Sequence, residues 1–388
     1  MKFVLENYGC TLNQAQGEMI SSYLISQGHQ LVDREEEADS VLLSTCVVIK
    51  QTEDRMRRRI REIKDSGKDV LLSGCLTHFP VEGVKKMDFS VSRGNLPILK
   101  DGDLSAGIPI AEGCNGGCTF CISRIARGRL QSFGVDEILS SIRDMVNMGA
   151  REIRLTALDT ASYGQDSGSS LPELLNEIVS IPGDFMVRIG MMEPENCFSI
   201  MEDLLESMKS EKVYKFLHIP FQSGDSIVLR KMGRKYRIEE FLEEIRLFRS
   251  TFPEGMLSTD VIVGFPFETV NGLKETLNVI RETSPEILNI TKYSPRPGTA
   301  AFSWKTPSTN QTSLWSQIFS NVHKEISAKS MERFVGRKID VLITERGKGG
   351  TLLARDINYR PVILKKGSLG ERRKVNVKYS TPFYLVGE

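Results

Sequence analysis

Short apolar runs alternate with helix-like stretches in the first part of the chain. Three runs rich in valine and leucine read KFVLENYGC, SVLLSTC and KDVLLSGC, and between them lie LNQAQGEMISSYLISQG and TEDRMRRRIREIKDSG. Alternation of strands with helices favours a parallel sheet. The pattern therefore predicts an α/β domain built on a parallel sheet over residues 1–105.

The same alternation continues through residues 106–325, which contain six apolar runs. They read GIPIAEGC, EIRLTALDT, FMVRIGMME, KFLHIPFQS, LSTDVIVGF and EILNITKYS, and helical patterns such as VDEILSSIRDMVNMG separate them. Six strand–helix units predict an open or partial barrel, smaller than the eight-fold form. The carboxyl ends of such strands carry the active site, so polar residues at those ends are candidate site residues.

The last segment, residues 333–388, alternates apolar and polar positions between the glycine-rich turns RGKGG and KKGSLG. This period of two predicts a small antiparallel β-barrel or sandwich. The segment carries 13 Lys/Arg against 5 Asp/Glu, a net charge of +8, whereas the whole chain of 388 residues has a net charge of +1. It is therefore a basic module on an otherwise balanced protein.

Composition places the chain among ordinary globular proteins of two or three domains, with 40% hydrophobic and 26% charged residues. Its apolar runs are all much shorter than the roughly 20 residues of a membrane span. The N-terminus, MKFVLENYGC, lacks the long apolar core and small-residue cleavage site of a signal peptide. We therefore expect a soluble, cytoplasmic protein without membrane contact.

The cysteines are the candidate metal or redox ligands of this chain. The chain has seven, an odd number, and a reducing compartment disfavours structural disulfides, so clustered cysteines indicate metal or redox ligands. Cys10, Cys46 and Cys75 each end one of the three N-terminal strands, 36 and 29 residues apart. Because the carboxyl ends of parallel strands lie along one edge, where such sheets place their ligands, these cysteines are expected to converge.

The stretch EGCNGGCTFC places Cys114, Cys118 and Cys121 in a C-x3-C-x2-C pattern directly after the first barrel strand. Structural zinc usually takes four ligands in paired patterns, and none of the four histidines lies near this loop. An iron–sulfur cluster with three thiolates keeps one iron free for another ligand. The pattern favours the cluster over zinc and over an unligated loop of exposed, oxidisable thiols.

C-x3-C-x2-C after the first strand of a six-fold barrel resembles the radical S-adenosylmethionine superfamily. That resemblance implies a [4Fe–4S] cluster on Cys114, Cys118 and Cys121. Its free iron would bind the amino and carboxylate groups of S-adenosylmethionine, and electron transfer would yield a 5′-deoxyadenosyl radical. Such a radical is needed when the target C–H bond is too inert for acid–base chemistry.

The contexts YGCTLNQAQGE, STCVV and SGCL resemble the N-terminal domain of the methylthiotransferases. This implies a second [4Fe–4S] cluster on Cys10, Cys46 and Cys75. Most members have Asn-Thr-Cys at the second cysteine, whereas this chain keeps Thr45 but has Ser44 in place of the asparagine. The basic C-terminal module resembles the TRAM domain, an RNA-binding fold, and its charge fits phosphate contact.

The reaction that the resemblance implies replaces C–H by C–S–CH3. One S-adenosylmethionine donates methyl, a second makes the radical, and the second cluster supplies or carries sulfur. An electron donor and a sulfur source are needed and are not identified by the sequence, and no obligate protein partner is inferred.

The motifs CTFCISRIARGRLQS, RLTALDTASYG and SPRPGT are most similar to the archaeal and eukaryotic branch acting on N6-threonylcarbamoyladenosine of tRNA. The target base would lie next to the anticodon, in a single-stranded loop where a purine can be splayed into a pocket. Two alternatives within the family stay open, N6-isopentenyladenosine of tRNA and a ribosomal protein side chain. An alternative of another class is a non-catalytic RNA-binding protein with structural metal.

Five further residues are candidates for contact with S-adenosylmethionine. Phe120 is expected beside the adenine, or else in hydrophobic packing. Asp159 and Glu193 each end a strand. They are expected either to contact the ribose or amino group of S-adenosylmethionine or to cap the following helices. Gln222 is expected in the barrel mouth, and Gly264 permits close approach of the adenine or forms a plain turn.

Other polar residues are assigned less specific roles. His218 is expected to be a buried histidine with a satisfied partner, and Cys197 to be structural. The segment RMRRRIREIK is expected to form a cationic helix. Its charged face is either merely solvated or helps to steer RNA. The arginines that the second interpretation singles out are Arg57, Arg58 and Arg61.

Overall fold

A computed structural model describes residues 1–92, 94–99 and 102–388. Its first part is a five-stranded parallel sheet with the order β2-β1-β3-β4-β5. The strands and helices of this part are β1 (Lys2–Asn7), α1 (Thr11–Ser26), β2 (Gln30–Leu31), β3 (Ser40–Thr45), α2 (Lys50–Asp65), β4 (Asp69–Gly74) and β5 (Lys85–Lys86). The predicted parallel sheet is confirmed.

The central strand β3 is buried along all six of its residues, as expected of a parallel strand covered on both faces. Its Val41 and Leu43 pack under α2, whereas Leu42 packs under α1. Because successive side chains of a strand point to opposite faces, one helix covers each face of the sheet. The residues that follow the strands are thereby held on a rigid layer.

The second part contains the six predicted strands, in two three-stranded parallel sheets with the orders β10-β9-β6 and β11-β12-β13. A bridge between Val187 and Val213 joins the two sheets into one open barrel. The elements are β6 (Ser105–Pro109), β7 (Ala111–Glu112), α3 (Ile122–Arg127), β8 (Gln131–Ser132), α4 (Val135–Asn147), β9 (Glu152–Thr156), α5 (Leu171–Val179), β10 (Met186–Arg188), α6 (Pro194–Cys197), α7 (Met201–Ser207), β11 (Phe216–His218), α8 (Ser226–Met232), α9 (Ile238–Thr251), β12 (Met256–Val263), α10 (Val270–Thr283) and β13 (Ile287–Lys292).

The third part follows the long helix α11 (Thr309–Glu332) and is a closed five-stranded barrel. Its strands are β14 (Lys338–Arg346), β15 (Leu352–Arg355), β16 (Pro361–Leu364), β17 (Arg372–Ser380) and β18 (Leu385–Gly387). Four neighbouring pairs are antiparallel and β16 pairs with β18 in parallel. A ring with an odd number of strands cannot alternate direction throughout, so one parallel pair is required. The α/β fold class with a small β-barrel at its end is confirmed.

The small barrel packs against the amino-terminal ends of the central strands. Met186, Phe216 and Met256 are the first residues of β10, β11 and β12, and they share a core with Tyr359 of the small barrel. The ring of Tyr359 lies 5.0 Å from that of Phe216, and its hydroxyl lies 3.2 Å from the fully buried carboxylate of Glu152. The basic module is therefore fixed at the end of the central barrel opposite the carboxyl ends of its strands.

The N-terminal sheet packs on the first strand of the central barrel through α1. A Cβ added at Gly107 of β6 would lie 2.8 Å from that of Ala15, so helix and strand are in close contact. In the described part of the chain, the helices are all too short or too polar to cross a membrane.

Candidate functional site

The three N-terminal cysteines lie at one edge of the first sheet. Cys10 follows β1, Cys46 follows β3 and Cys75 follows β4, and these three strands are neighbours. Cys75 is buried, Cys46 half-buried and Cys10 exposed. Burial raises the pKa of the Cys46 thiol, and the neighbouring thiols of Cys75 and Cys10 raise that pKa further. The three cysteines thus follow neighbouring strands at one edge of the sheet, as expected, and we call them the sheet-edge triplet.

The ends of β3 and β4 are locked together beside these cysteines. Gly74 has φ +78°, and a Cβ there would lie 2.5 Å from the carbonyl oxygen of Thr45. The Thr45 hydroxyl donates to the carbonyl of Ser73 at 2.5 Å and accepts from the backbone N–H of Leu76 at 3.2 Å. Only glycine allows this close approach, which fixes where Cys75 leaves the sheet.

Cys114, Cys118 and Cys121 lie on one excursion of the chain, which we call the loop triplet. The two-stranded ribbon of β7 and β8 closes the base of this excursion. Its middle is held by Thr119, whose N–H donates to the Met232 carbonyl at 2.9 Å and whose hydroxyl donates to the Lys231 carbonyl at 2.8 Å. Helix α3 begins directly after Cys121. The loop is thus fixed to the end of α8.

The donor chemistry of both triplets fits iron–sulfur clusters, because thiolates are the ligands that such clusters take. The N–H of Gly116 donates to Sγ of Cys114 at 3.2 Å, and Nδ2 of Asn13 lies 3.9 Å from Sγ of Cys75. Burial raises the pKa of the Cys114 and Cys118 thiols, so binding must expel their protons. Among the residues described, no three His, Cys, Asp or Glu side chains are placed to share a single metal ion. The cluster ligands stay a prediction.

A buried arginine that the sequence analysis missed joins the two triplets. Arg127 lies at the end of α3, and its guanidinium donates to Oε1 of Gln16 at 2.5 Å, to Glu112 at 2.7 Å and to the side-chain oxygen of Asn13. Burial lowers the pKa of Arg127, but the neighbouring side chains of Cys75 and Glu112 more than offset this, so that pKa is raised. The sequence carries no signal for this burial, since Arg127 stands among other cations in a short helix.

A cleft of about 90 Å³ opens between the segment after Cys46 and the loop triplet. Val48 and Ile49 line one side, and Phe120 and Cys121 line the other. The N-terminal part is tied to the barrel beside this cleft, because Lys50 N–H donates to Oγ of Ser294 at 3.0 Å and Arg296 forms a buried ion pair with Glu53. Cys121 of the loop triplet and the residues that follow Cys46 therefore border one cleft.

Phe120 lies half-buried in the loop triplet. Its ring is edge-on to that of Phe265 at 6.0 Å, and the guanidinium carbon of Arg234 lies 5.6 Å from its centroid. Arg234 also forms a buried ion pair with Glu193. Glu193 therefore reaches the cysteine loop through an arginine that the sequence analysis did not single out.

Asp159 is buried, and its carboxylate binds three donors of the chain itself. It accepts from the N–H groups of Ala161 at 3.1 Å and Glu193 at 2.9 Å, and from Nδ2 of Asn196 at 2.6 Å. Burial raises the pKa of Asp159 to about 7. Asp159 thus caps a short helix, as the second interpretation of this residue predicts, and it joins two strand ends. Its contact with the cofactor stays a prediction.

Gln222 has φ +65°, and its backbone bridges to β12. Within the described residues, its buried Oε1 has no hydrogen-bond partner. Gly264 has φ +82°, and a Cβ there would lie 2.5 Å from Oγ1 of Thr312 on α11. The close approach at Gly264 is thus explained by helix packing, whereas Gln222 presents an acceptor that has no donor.

The remaining candidates take ordinary positions. His218 pairs with Asp260, Nε2 to Oδ2 at 3.1 Å, but it is half-buried rather than buried as expected, whereas Cys197 is fully buried in the apolar core. Arg57 pairs with Glu53, and Arg58 and Arg61 are exposed on α2. Whether these arginines steer RNA stays a prediction.

Three family models match consecutive parts of the chain. Residues 2–92 match the uncharacterized protein family UPF0004, residues 108–280 the radical SAM superfamily and residues 332–388 the TRAM domain. The order of these matches follows the three parts of the fold.

Curated relatives match over the full length. The chain is 38% identical to a probable threonylcarbamoyladenosine tRNA methylthiotransferase of Pyrococcus horikoshii, covering all of this chain and 99% of that one. It is 31% identical to a tRNA-2-methylthio-N(6)-dimethylallyladenosine synthase of Thermosipho africanus, with coverage of 100% and 99%. Among solved structures, the radical S-adenosylmethionine methyltransferase TsrM of Kitasatospora setae aligns with a TM-score of 0.56 at 12% identity, over 78% of this chain and 77% of that one. This last likeness concerns the fold alone.

Proposed function

Because this chain belongs to the methylthiotransferase family of radical S-adenosylmethionine enzymes, we propose that it converts N6-threonylcarbamoyladenosine next to the anticodon of tRNA into its 2-methylthio derivative. The observation that carries the proposal is that one cleft lies between Cys121 of the loop triplet and the segment directly after Cys46 of the sheet-edge triplet. Forming C–S–CH3 from C–H requires radical generation and sulfur delivery at the same carbon. Relatives named for threonylcarbamoyladenosine reach 38% identity, against 31% for one named for dimethylallyladenosine, which favours the first substrate.

The radical SAM family implies a [4Fe–4S] cluster and S-adenosylmethionine, which supply a radical able to remove hydrogen from an inert C–H bond. In our proposal Cys114, Cys118 and Cys121 hold that cluster. The sheet-edge triplet holds a second one. Three thiolates in each case leave an iron for an outside ligand.

Side chains at the barrel mouth and beside the loop triplet fit a cofactor with amino and carboxylate groups. The unpartnered Oε1 of Gln222 is an acceptor that an ammonium or amino group would satisfy, and a buried polar atom without a partner is unfavourable until it is satisfied. The Glu193–Arg234 ion pair holds the guanidinium against the Phe120 ring. We propose that these residues form the wall against which S-adenosylmethionine is positioned.

The small barrel supports tRNA as the substrate. On β17 the cations Arg372, Lys374 and Lys378 are exposed at alternate positions, while Val375 and Val377 between them are buried. Each of these cations is paired with a carboxylate, of Asp184, Asp340 or Glu388, so the support for phosphate contact is the net charge of +8 over residues 333–388. A sulfur source and an electron donor are further proposed partners.

Anaerobic reconstitution tests this proposal. We expect about eight irons per chain, the content of two [4Fe–4S] clusters. With S-adenosylmethionine, reductant and sulfide, a threonylcarbamoyl-modified anticodon stem-loop should gain the methylthio group, as measured by nucleoside mass spectrometry. Product only from an isopentenyl-modified stem-loop would reassign the substrate, and zinc in place of iron would favour a non-catalytic RNA-binding protein.

The same assignment can be tested in cells. Bulk tRNA from a strain lacking the gene should lose 2-methylthio-N6-threonylcarbamoyladenosine and accumulate its precursor. An unchanged nucleoside profile would contradict the proposed substrate.

A further inference from the structure

An exposed aromatic residue at the barrel mouth has an unfavourable backbone conformation. Phe267 lies in the connection between β12 and α10, three residues after Gly264, and has φ +72°. A bulky residue in the left-handed region is an outlier that costs about 1–2 kcal/mol. Burial does not offset this cost, since 49% of Phe267 is exposed. Strain of this kind is typical of ligand-binding positions.

The Phe267 ring is the outer member of an aromatic series. It lies 5.6 Å from the ring of Trp304, edge to face, and Trp304 lies 6.2 Å from Phe265. Phe265 in turn lies 6.0 Å from Phe120 in the loop triplet. The exposed ring is therefore connected by continuous packing to the candidate site, and Trp304 holds its orientation.

One cation contacts this ring, and it belongs to a cationic segment of the chain. Nζ of Lys231 lies 4.9 Å from the Phe267 centroid, in cation–π contact. Lys231 belongs to the segment LRKMGRKYR, in which Arg230, Lys231, Lys235 and Arg237 are exposed. An exposed ring beside an exposed cation, in a cationic segment, is an arrangement used for single-stranded nucleic acids, where bases stack on aromatic faces and cations contact phosphates.

We propose that Phe267, supported by Trp304, is a stacking subsite for an unpaired nucleobase flanking the target adenosine in the substrate RNA. This inference rests on the proposed function. Extrusion of the target base into the cleft removes its stacking on a neighbour, and the Phe267 ring replaces that stacking. The cations argue for RNA over an apolar protein surface, because interface cores are depleted of charged residues.

The test measures binding of an anticodon stem-loop RNA to the reconstituted full-length enzyme by fluorescence anisotropy. Phe267→Gly removes the ring and relieves the strained backbone, and Phe267→Trp keeps an aromatic face. We expect the glycine variant to bind roughly 5- to 150-fold more weakly, with affinity kept in the tryptophan variant. Leu247→Ala, which trims an exposed apolar side chain on α9, is the matched control and should leave affinity unchanged.

An abasic scan of the loop identifies the stacked base. One abasic position flanking the target should weaken binding to the wild type but not to Phe267→Gly, because both changes remove the same contact. Equal affinity of Phe267→Gly and the wild type would overturn the subsite while leaving the proposed function intact. Failure of the wild type itself to bind the stem-loop would instead contradict the proposed function. Thermal unfolding at or above the wild-type midpoint shows that Phe267→Gly is folded.

Discussion

The two cysteine triplets are built in opposite ways. The loop triplet spans eight residues of one excursion, whereas the sheet-edge triplet takes single residues from the ends of three strands, 36 and 29 residues apart. The first is therefore set by local sequence and the second by the order of strands in the sheet. Their difference shows why spacing alone reveals one site, while the other needs a predicted topology.

Both triplets nevertheless depend on the same local device. Gly74 and Gly113 each precede a cysteine, and both have positive φ, +78° and +74°. A Cβ at Gly113 would lie 1.9 Å from the carbonyl oxygen of Arg129, on the other side of the loop. Close backbone approach thus positions the thiol of Cys75 at the sheet edge and the thiol of Cys114 in a loop whose two sides are in contact.

Removing one thiolate from each triplet should separate the two roles completely. Cys118→Ala should abolish reductive cleavage of S-adenosylmethionine, because the cluster proposed to bind this cofactor would lose a ligand. Cys46→Ala should keep cleavage and abolish methylthiolation. Formation of 5′-deoxyadenosine and of modified nucleoside, both by mass spectrometry, measures the two steps.

Cys197→Ala is the matched control for these two changes, since Cys197 is a fully buried cysteine outside both triplets. It should keep both steps and about eight irons. Loss of cofactor cleavage in Cys46→Ala would show that the two triplets do not act separately.

A change at Gly74 should damage the sheet-edge triplet alone. Gly74→Ala brings a Cβ against Thr45 and is expected to destabilise the N-terminal part by about 2–5 kcal/mol, combining backbone strain with a steric clash. Gly67→Ala is the control, because Gly67 has nearly the same φ, +77°, but open space around its Cβ. It should cost only about 1–2 kcal/mol.

Iron content and hydrogen exchange of β3 and β4 measure the difference between these variants. We expect iron to fall from about eight to about four in Gly74→Ala only. Equal effects of the two substitutions would mean that close approach to Thr45 does not matter.

The coupling between the triplets can be weakened at Arg127. Arg127→Met leaves Glu112 and the side chains of α1 without their partner. It should destabilise the protein by about 2–4 kcal/mol. This is less than for a fully buried ion pair, because Glu112 is partly exposed. Methylthiolation should fall more than cofactor cleavage, since Asn13 and Cys75 lie on the sheet-edge side. Arg124→Met, an exposed change on the same helix, should have little effect on either step. A proportional loss of both steps in Arg127→Met would point to simple unfolding.

The sequence predicted the parallel sheet, the six-strand barrel and the basic β-barrel, because strand–helix alternation and period-two patterning are local signals. It also predicted that Cys10, Cys46 and Cys75 converge, since adjacency of parallel strands follows from the sheet. The contacts of Arg127 and Arg234 were missed, because burial of a cation depends on partners far along the chain. The packing role of Gly264 was missed for the same reason. Its backbone lies close to Thr312, which belongs to a helix distant in the sequence.

The ionisable groups around the two triplets differ as well, which gives the smallest predicted effect. Permanent cations, Arg127 and Arg296, lie beside the sheet-edge triplet, whereas the carboxyl of Glu268 lies at the barrel mouth and accepts from the N–H of Gly264 at 2.7 Å. Burial raises the pKa of Glu268 to about 7. The folded protein therefore holds this proton more tightly than the unfolded chain, and the stability it contributes is full below about pH 4.5 and lost as pH rises through about 7.

Glu268→Gln is neutral at every pH and should remove this loss. Relative to the wild type, the variant should gain roughly 2–3 kcal/mol of stability between pH 5 and pH 8. Urea unfolding followed by tryptophan fluorescence measures it, because both tryptophans, Trp304 and Trp315, belong to the barrel side of the molecule. Comparing variant with wild type at each pH cancels the titration of other groups. Parallel stability curves would show that Glu268 is already ionised in the folded protein, and that the barrel mouth is as insensitive to pH as the sheet edge.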